Sequence, residues 1–186
     1  RVVPEVPVLN PHESLAQDTA ESPQLSVELR RSVVDKEWSD AYFHQEVVQS
    51  APPGQDVWPI ALYLDGVPFT KRDGFIGFWA YNLVSGKRHL LITLRKSQMC
   101  RCGCLSWCSL HAVWHWLAWS FQALATGKCP QRRHDGAPFG PDEARRAEKA
   151  GAPLMLAALV NRNGDWADIV HAWGFCSWHN ITSPCF

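Results

Sequence analysis

A chain of 186 residues, 46% of them hydrophobic and ten of them tryptophan, can bury the core of one domain with a tail. Its 18 lysines and arginines are matched by 18 aspartates and glutamates, which excludes a global basic field for nucleic acid and leaves only local patches. The longest apolar stretch, residues 112–125, is broken by His115, Ser120 and Gln122 and falls short of the roughly 20 residues a spanning helix needs. No membrane segment is expected, and with no signal peptide in view the expected setting is intracellular.

Residues 1–31 carry Pro4, Pro7, Pro11 and Pro23 among scattered acids and serines with no sustained hydrophobic period, and predict a disordered arm. Over residues 32–49, Val33, Val34, Trp38, Ala41, Tyr42, Gln45 and Val48 recur at spacings of three and four, which predicts a helix with one apolar stripe. Ala51-Pro52-Pro53-Gly54 breaks it, so residues 32–56 read as helix and linker before a compact domain over 57–186.

That domain opens with a strand over residues 58–64, turned aside by Asp65-Gly66-Val67-Pro68. Aromatic-rich residues 75–83 predict a second strand, Ser85-Gly86-Lys87 a hairpin turn, and residues 88–94 a third strand, giving an antiparallel meander. After a knot of cysteines, Ala112, Val113, Trp116, Leu117, Trp119, Phe121 and Leu124 form the broad apolar face of a helix that ends at Gly127 and should cover the sheet. Residues 128–140 read as a loop, and Pro141 starts a short charged helix through Glu148. The apolar run over 153–161 suits helix or strand by periodicity. Strand is preferred because residues 165–173 already read as a helix ended by Gly174.

Cys100, Cys102, Cys104 and Cys108 with His111 place four thiols and an imidazole within twelve residues. Zinc takes four sulfur or nitrogen ligands in a tetrahedron, and a closed site would tie down a loop between strand and helix. A Cys-x-Cys bite is tight for one ion, so three thiols with His111 as the fourth ligand is one expected set. Inert buried thiols and disulfides are the other readings, the latter disfavoured by an odd count of seven. Cys129, Cys176 and Cys185 could belong to a second site. A cysteine hydrolase built on Cys104 or Cys108 with His111 or His134 is weaker, because neighbouring thiols look like ligands rather than one activated nucleophile.

Asp65 follows the first strand and Asp165 the fourth. The order strand with Asp, strand, strand, helix, strand with Asp is that of an RNase H-like nuclease core, an α/β fold with a three-stranded antiparallel meander, a fourth strand and covering helices. Two carboxylates brought close repel each other unless Mg²⁺ or Mn²⁺ lies between them, and hard oxygen ligands suit those ions. Simpler readings are a turn at Asp65-Gly66 and a helix cap at Asp165. Asp168 and His171 could join such a site or line a solvated helix face.

The pieces Tyr63-Leu64-Asp65-Gly66 and Gly164-Asp165-Trp166-Ala167-Asp168, followed by Gly174 and Pro184-Cys185, resemble the first and second acidic positions of DDE-type transposases of the Plavaka-like group. The stretch from Asp65-Gly66-Val67-Pro68-Phe69-Thr70 through Leu94-Arg95-Lys96 to Cys102-Gly103-Cys104 also resembles a multicopy family of uncharacterised protist proteins. The resemblance implies a transposon-derived, RNase H-like domain with Asp65 and Asp165 as catalytic metal ligands and a nuclear location. The third acid of that pattern and the second cysteine of its terminal pair are missing up to Phe186, so the domain is expected to be C-terminally and catalytically incomplete.

DNA would be met by local basic turns: Lys71-Arg72, Lys87-Arg88, Arg95-Lys96 with Arg101, and Lys128 with Arg132-Arg133. The plainer reading is that these residues solvate turns. Trp114, Trp116, Trp119 and Trp173 could stack on bases, although tryptophans at helical spacing usually form core. The alternative function is a non-catalytic, zinc-stabilised binding domain.

Overall fold

The computed structural model describes residues 6–71, 73–104 and 106–164. A mixed four-stranded sheet lies at its centre in the order β3-β2-β1-β4. β1 (Val57–Thr70) pairs antiparallel with β2 (Asp73–Asn82), from Ile60↔Asn82 to Thr70↔Asp73. β2 pairs antiparallel with β3 (Arg88–Arg95), which completes the expected meander. β4 (Leu156–Gly164) runs parallel to β1, from Val57↔Leu156 to Leu64↔Gly164, so the apolar run is a strand.

Alternation decides which face of the sheet is inside. Ile60, Leu62 and Leu64 of β1 and Ile76, Phe78 and Ala80 of β2 are all buried. They pack with Leu110, Val113, Leu117 and Leu124 of α5 (Trp107–Thr126), the helix of the crossover from β3 to β4. α5 ends where expected, at Gly127 with φ 65, and a Cβ there would press to within 2.9 Å of the Leu156 side chain. The charged segment after the loop is a 3₁₀ turn, Pro141–Glu143, running into α6 (Ala144–Glu148).

The amino-terminal arm corrects the expectation of disorder. It forms α1 (Pro11–Glu21) and α2 (Leu25–Val34), whose Leu15 and Leu29 lie in the main core, Leu15 with 0% exposure. Pro11 is the first residue of α1, where a missing N–H is harmless, and Pro23 falls between the helices, so neither breaks anything. The single helix predicted over 32–49 is also corrected: the chain ends α2, takes a left-handed turn at Lys36 with φ 53, then forms α3 (Asp40–Phe43) and α4 (Glu46–Gln49). Of that stripe, Val33, Trp38, Tyr42 and Val48 nevertheless share one cluster, while Val34 and Ala41 are exposed. Tyr42 packs with Val57, Leu156 and Ala158 on the other side of the sheet and donates its hydroxyl to the Val57 carbonyl at 2.8 Å.

Asp18, 1% exposed, fastens the arm to the β2–β3 turn. Its carboxylate accepts from Asn82 Nδ2 at 2.8 Å and Ser85 Oγ at 2.7 Å, and pairs with Lys87 Nζ at 2.8 Å. Burial alone would push this carboxyl up, but Lys87, Ser85 and Asn82 together hold it below the ordinary range. Asp18→Ala removes the acceptor for all three, and urea unfolding should show a loss of about 2 kcal/mol.

His12 is buried beside α5, where the Ser120 hydroxyl accepts from the His12 backbone N–H at 3.0 Å and lies 2.7 Å from Nδ1. Burial lowers its imidazole to about 4, with Glu13 opposing and Arg146 assisting. The unfolded chain therefore takes up this proton near pH 6.5 and the folded one only near 4, so stability falls as pH drops through that window, by about 3 kcal/mol in all. Urea midpoints measured between pH 7 and pH 5 should fall in the native chain and fall less in His12→Gln.

Candidate metal centre

The thiol cluster forms where the chain leaves β3 and enters the crossover. A 3₁₀ turn, Lys96–Gln98, and the buried Met99 lead to Cys100, whose backbone N–H donates to Ser109 Oγ at 2.9 Å. Ser106 donates to the Cys100 carbonyl at 3.3 Å and takes a left-handed φ of 68, which brings the loop back onto the first turn of α5. Both ends of the loop are thus held by the helix that carries Cys108.

All four sulfurs of Cys100, Cys102, Cys104 and Cys108 lie within 4.8 Å of one another. Four of the separations are 3.1 Å (Cys100 to Cys102), 3.4 Å (Cys104 to Cys108), 3.7 Å (Cys102 to Cys108) and 3.9 Å (Cys100 to Cys104). A tetrahedron of sulfurs about zinc at ~2.3 Å has edges of ~3.8 Å, so the cluster needs only small shifts to hold the ion. A disulfide needs sulfurs ~2.05 Å apart, and these four cysteines are free. The set could therefore hold a metal such as zinc.

His111 falls outside the group of four; its ring lies 6.5 Å from that of His115 further along α5. The expected set of three thiols with His111 is replaced by four thiols, because the loop folds Cys100 and Cys102 back against Cys104 and Cys108. With no histidine nitrogen from the described residues in this sulfur cluster, its geometry is that of a ligand set rather than of a thiol beside its base.

Without metal the thiols favour one thiolate, at Cys104, at the expense of Cys102 and Cys108. The Cys108 backbone N–H, donating to Cys104 Sγ at 3.4 Å, leads the interactions that lower Cys104 to about 6, and the neighbouring thiols assist. The hydrogen bond with Cys104 is the main cause that pushes Cys108 up to about 12, and Cys100 raises Cys102. A thiophilic cation reverses this, because thiolate is the form it binds.

Asp65 is placed differently from the expected turn. β1 continues past it to Thr70, and Asp65 pairs with Gly77 in mid-strand. The turn lies beyond Thr70, and Pro68 is accommodated at a register shift between Pro68 and Thr70. Asp65 is half-buried, and its Oδ2 accepts from the Tyr63 hydroxyl at 3.1 Å. The last β1–β4 pair among the described residues is Leu64↔Gly164, one residue before Asp65. Asp165, Asp168 and His171 lie outside the described residues, as do the helix expected over 165–173, Cys176 and Cys185.

Several of the basic turn residues have structural partners. Lys87 pairs with Asp18 and with Glu21, Arg95 with Asp73 at 2.6 Å, and Arg133 with Asp135 and Glu143. The α5 tryptophans serve packing: Trp116 is buried and donates to Asn10 Oδ1, Trp114 packs edge-on against Phe78, and Trp119 donates to the Arg132 carbonyl. Cys129 lines a cleft of about 970 Å³ with His12, Trp119 and Lys149. The acids and Arg146 of that cleft are joined to one another, Arg146 meeting Glu13 at 2.6 Å and Glu143 at 2.9 Å.

No family model matches this chain, and neither does any curated protein or solved structure. The chemistry of the site rests on its own geometry.

Elemental analysis of protein produced with zinc in the medium should find about one zinc per chain, held by the four thiols. Cys104→Ser should lose it, and the midpoint of thermal unfolding should then fall by more than about 5 °C, as it should on chelation of the native chain.

Proposed function

We propose that this chain is an RNase H-like domain of transposase descent, in which Asp65 and Asp165 hold a divalent Mg²⁺ or Mn²⁺ and the thiol cluster holds a structural zinc. One observation carries the reading. The parallel ladder between β1 and β4 pairs Leu64 with Gly164, so the residues that immediately precede the two aspartates in sequence are direct partners. The order β3-β2-β1-β4, with three antiparallel strands and a parallel fourth reached through a helix, supports the same reading.

Asp65 suits a hard cation. One carboxylate oxygen accepts from Tyr63, which fixes the side chain, and Oδ1 has no hydrogen-bond partner among the described residues. When bound, the metal would neutralise phosphodiester charge and activate water. Tyr63 would orient the carboxylate, and the Gly77 pairing holds its backbone in the middle of the sheet. The reading assigns two acids of a three-acid pattern, so metal binding, rather than turnover, is what these residues themselves provide.

A zinc-supported binding domain without catalysis is the second reading, favoured by the convergence of the four sulfurs. Calorimetric titration separates the two. Mn²⁺ should bind the native chain, and the heat should vanish in Asp65→Asn combined with Asp165→Asn while bound zinc is unchanged. Absence of Mn²⁺ binding in a zinc-loaded native chain would leave the binding domain.

A further inference from the structure

The side of the sheet opposite α5 carries aromatic rings that the core does not use. Alternation in β1 brings Tyr63, Asp65, Val67 and Phe69 to this side, and opposite Val67, Tyr63 and Ala61 the second strand adds Phe75, Trp79 and Tyr81. The β3 partners of those residues are Arg95, Leu90 and Arg88. α3 and α4 cover only the end of the sheet near Val57 and Ala158. Further along, Val67 is 53% exposed, Phe69 46%, Phe75 36% and Leu90 48%. Contiguous exposed apolar surface of this kind marks a binding face more often than a solvated one.

The rings are arranged as a platform. Phe69 and Phe75 stack with centroids 4.7 Å apart and planes 28° from parallel, and Tyr63 meets Trp79 at 5.5 Å. Gly77 allows the indole of Trp79 to lie across the strand, because a Cβ at that position would run into its six-membered ring. Arg88 lies over the Tyr81 ring at 5.2 Å and Arg95 over the Phe69 ring at 5.3 Å. These two arginines stand seven residues apart along β3, so roughly 20 Å of the face is bordered by guanidinium groups. Arg95 shares its charge with Asp73, whereas Arg88 has no carboxylate partner among the described residues.

We propose that this face binds single-stranded nucleic acid, with unstacked bases on the Phe69–Phe75 pair and Trp79, and phosphates against Arg88 and Arg95. Rings lying along a sheet can stack only on bases that have left their own duplex, which selects single strands. Guanidinium groups at the border supply the charge that a phosphate backbone seeks and a neutral apolar partner does not. The proposal does not depend on metal at Asp65, whose carboxylate lies within the platform.

The test is fluorescence anisotropy of the full chain with labelled oligothymidine and oligouridine of about 12 nucleotides, and with a duplex of equal length, in EDTA and low salt. Both single strands should bind more tightly than the duplex. Trp79→Ala should weaken binding about tenfold. Phe69→Leu with Phe75→Leu keeps the apolar bulk, removes the ring faces and should weaken it similarly. Arg88→Ala should flatten the dependence of log K on log salt by about 0.7. Binding by the native chain in EDTA, where no Mn²⁺ is held, separates this result from the metal titration. Tighter duplex binding, ring variants that fold by circular dichroism and bind like the native chain, or self-association abolished by Trp79→Ala without nucleic-acid binding, would each overturn the proposal.

Discussion

β1 has neighbours running in opposite senses, and most of the structure follows from that constraint. The antiparallel partner β2 needs only the short turn after Thr70. The parallel partner β4 cannot be reached by a turn, because the chain must travel back the length of the sheet before it can pair in the same direction. Residues 96–155 make that return, and they contain the thiol cluster, α5 and α6. α5 buries its apolar side on Ile60, Leu62, Leu64 and Phe78, so the crossover also closes the core.

The thiol cluster stands at the entry to that crossover, where a loop with little apolar side-chain mass must set the direction of a 20-residue helix. Hydrogen bonds from Cys100 and Ser106 join the two ends of the loop, and a metal on four thiolates would fix it covalently. The far end of α5 is secured differently, by the left-handed Gly127 and by the backbone bond from Leu154 to its carbonyl. A helix held at both ends sets β4 against β1, where Gly164 pairs with Leu64.

The amino-terminal helices form the remaining wall. α1 lies against α5 and the β2–β3 end of the sheet, with Leu15 inserted in the core and Asp18 beneath the turn. A buried carboxylate that receives an ammonium, a hydroxyl and an amide fixes position more strictly than apolar contact does, since each donor has a direction. The open aromatic side of the sheet is then left to β1, β2 and β3. This division places a stable core and candidate ligand-binding surfaces on opposite sides of the same strands.

Local periodicity made the three antiparallel strands, α5 with its Gly127 stop, and the β4 run legible in the sequence, because side-chain alternation and apolar stripes are properties of neighbouring residues. The nearness of the four cysteines was equally local. The order of the sheet depended on pairings between segments far apart in the chain, and which sulfurs converge depended on how the loop folds onto α5, so His111 could not be separated from the cluster by spacing alone. Asp65-Gly66 reads as a turn in isolation and is strand because β2 supplies partners as far as Thr70. The first 31 residues show no periodicity of their own, yet Leu15, Leu29 and Asp18 are ordered by a core and a turn built from later segments, Asn82 lying 64 residues beyond Asp18. The sequence by itself determined which segments can be strand or helix, since that is set by local backbone preference and pattern. Only the tertiary structure decided which of them share a core and which side chains meet, because burial and directed polar contacts belong to pairs of segments and not to either one alone.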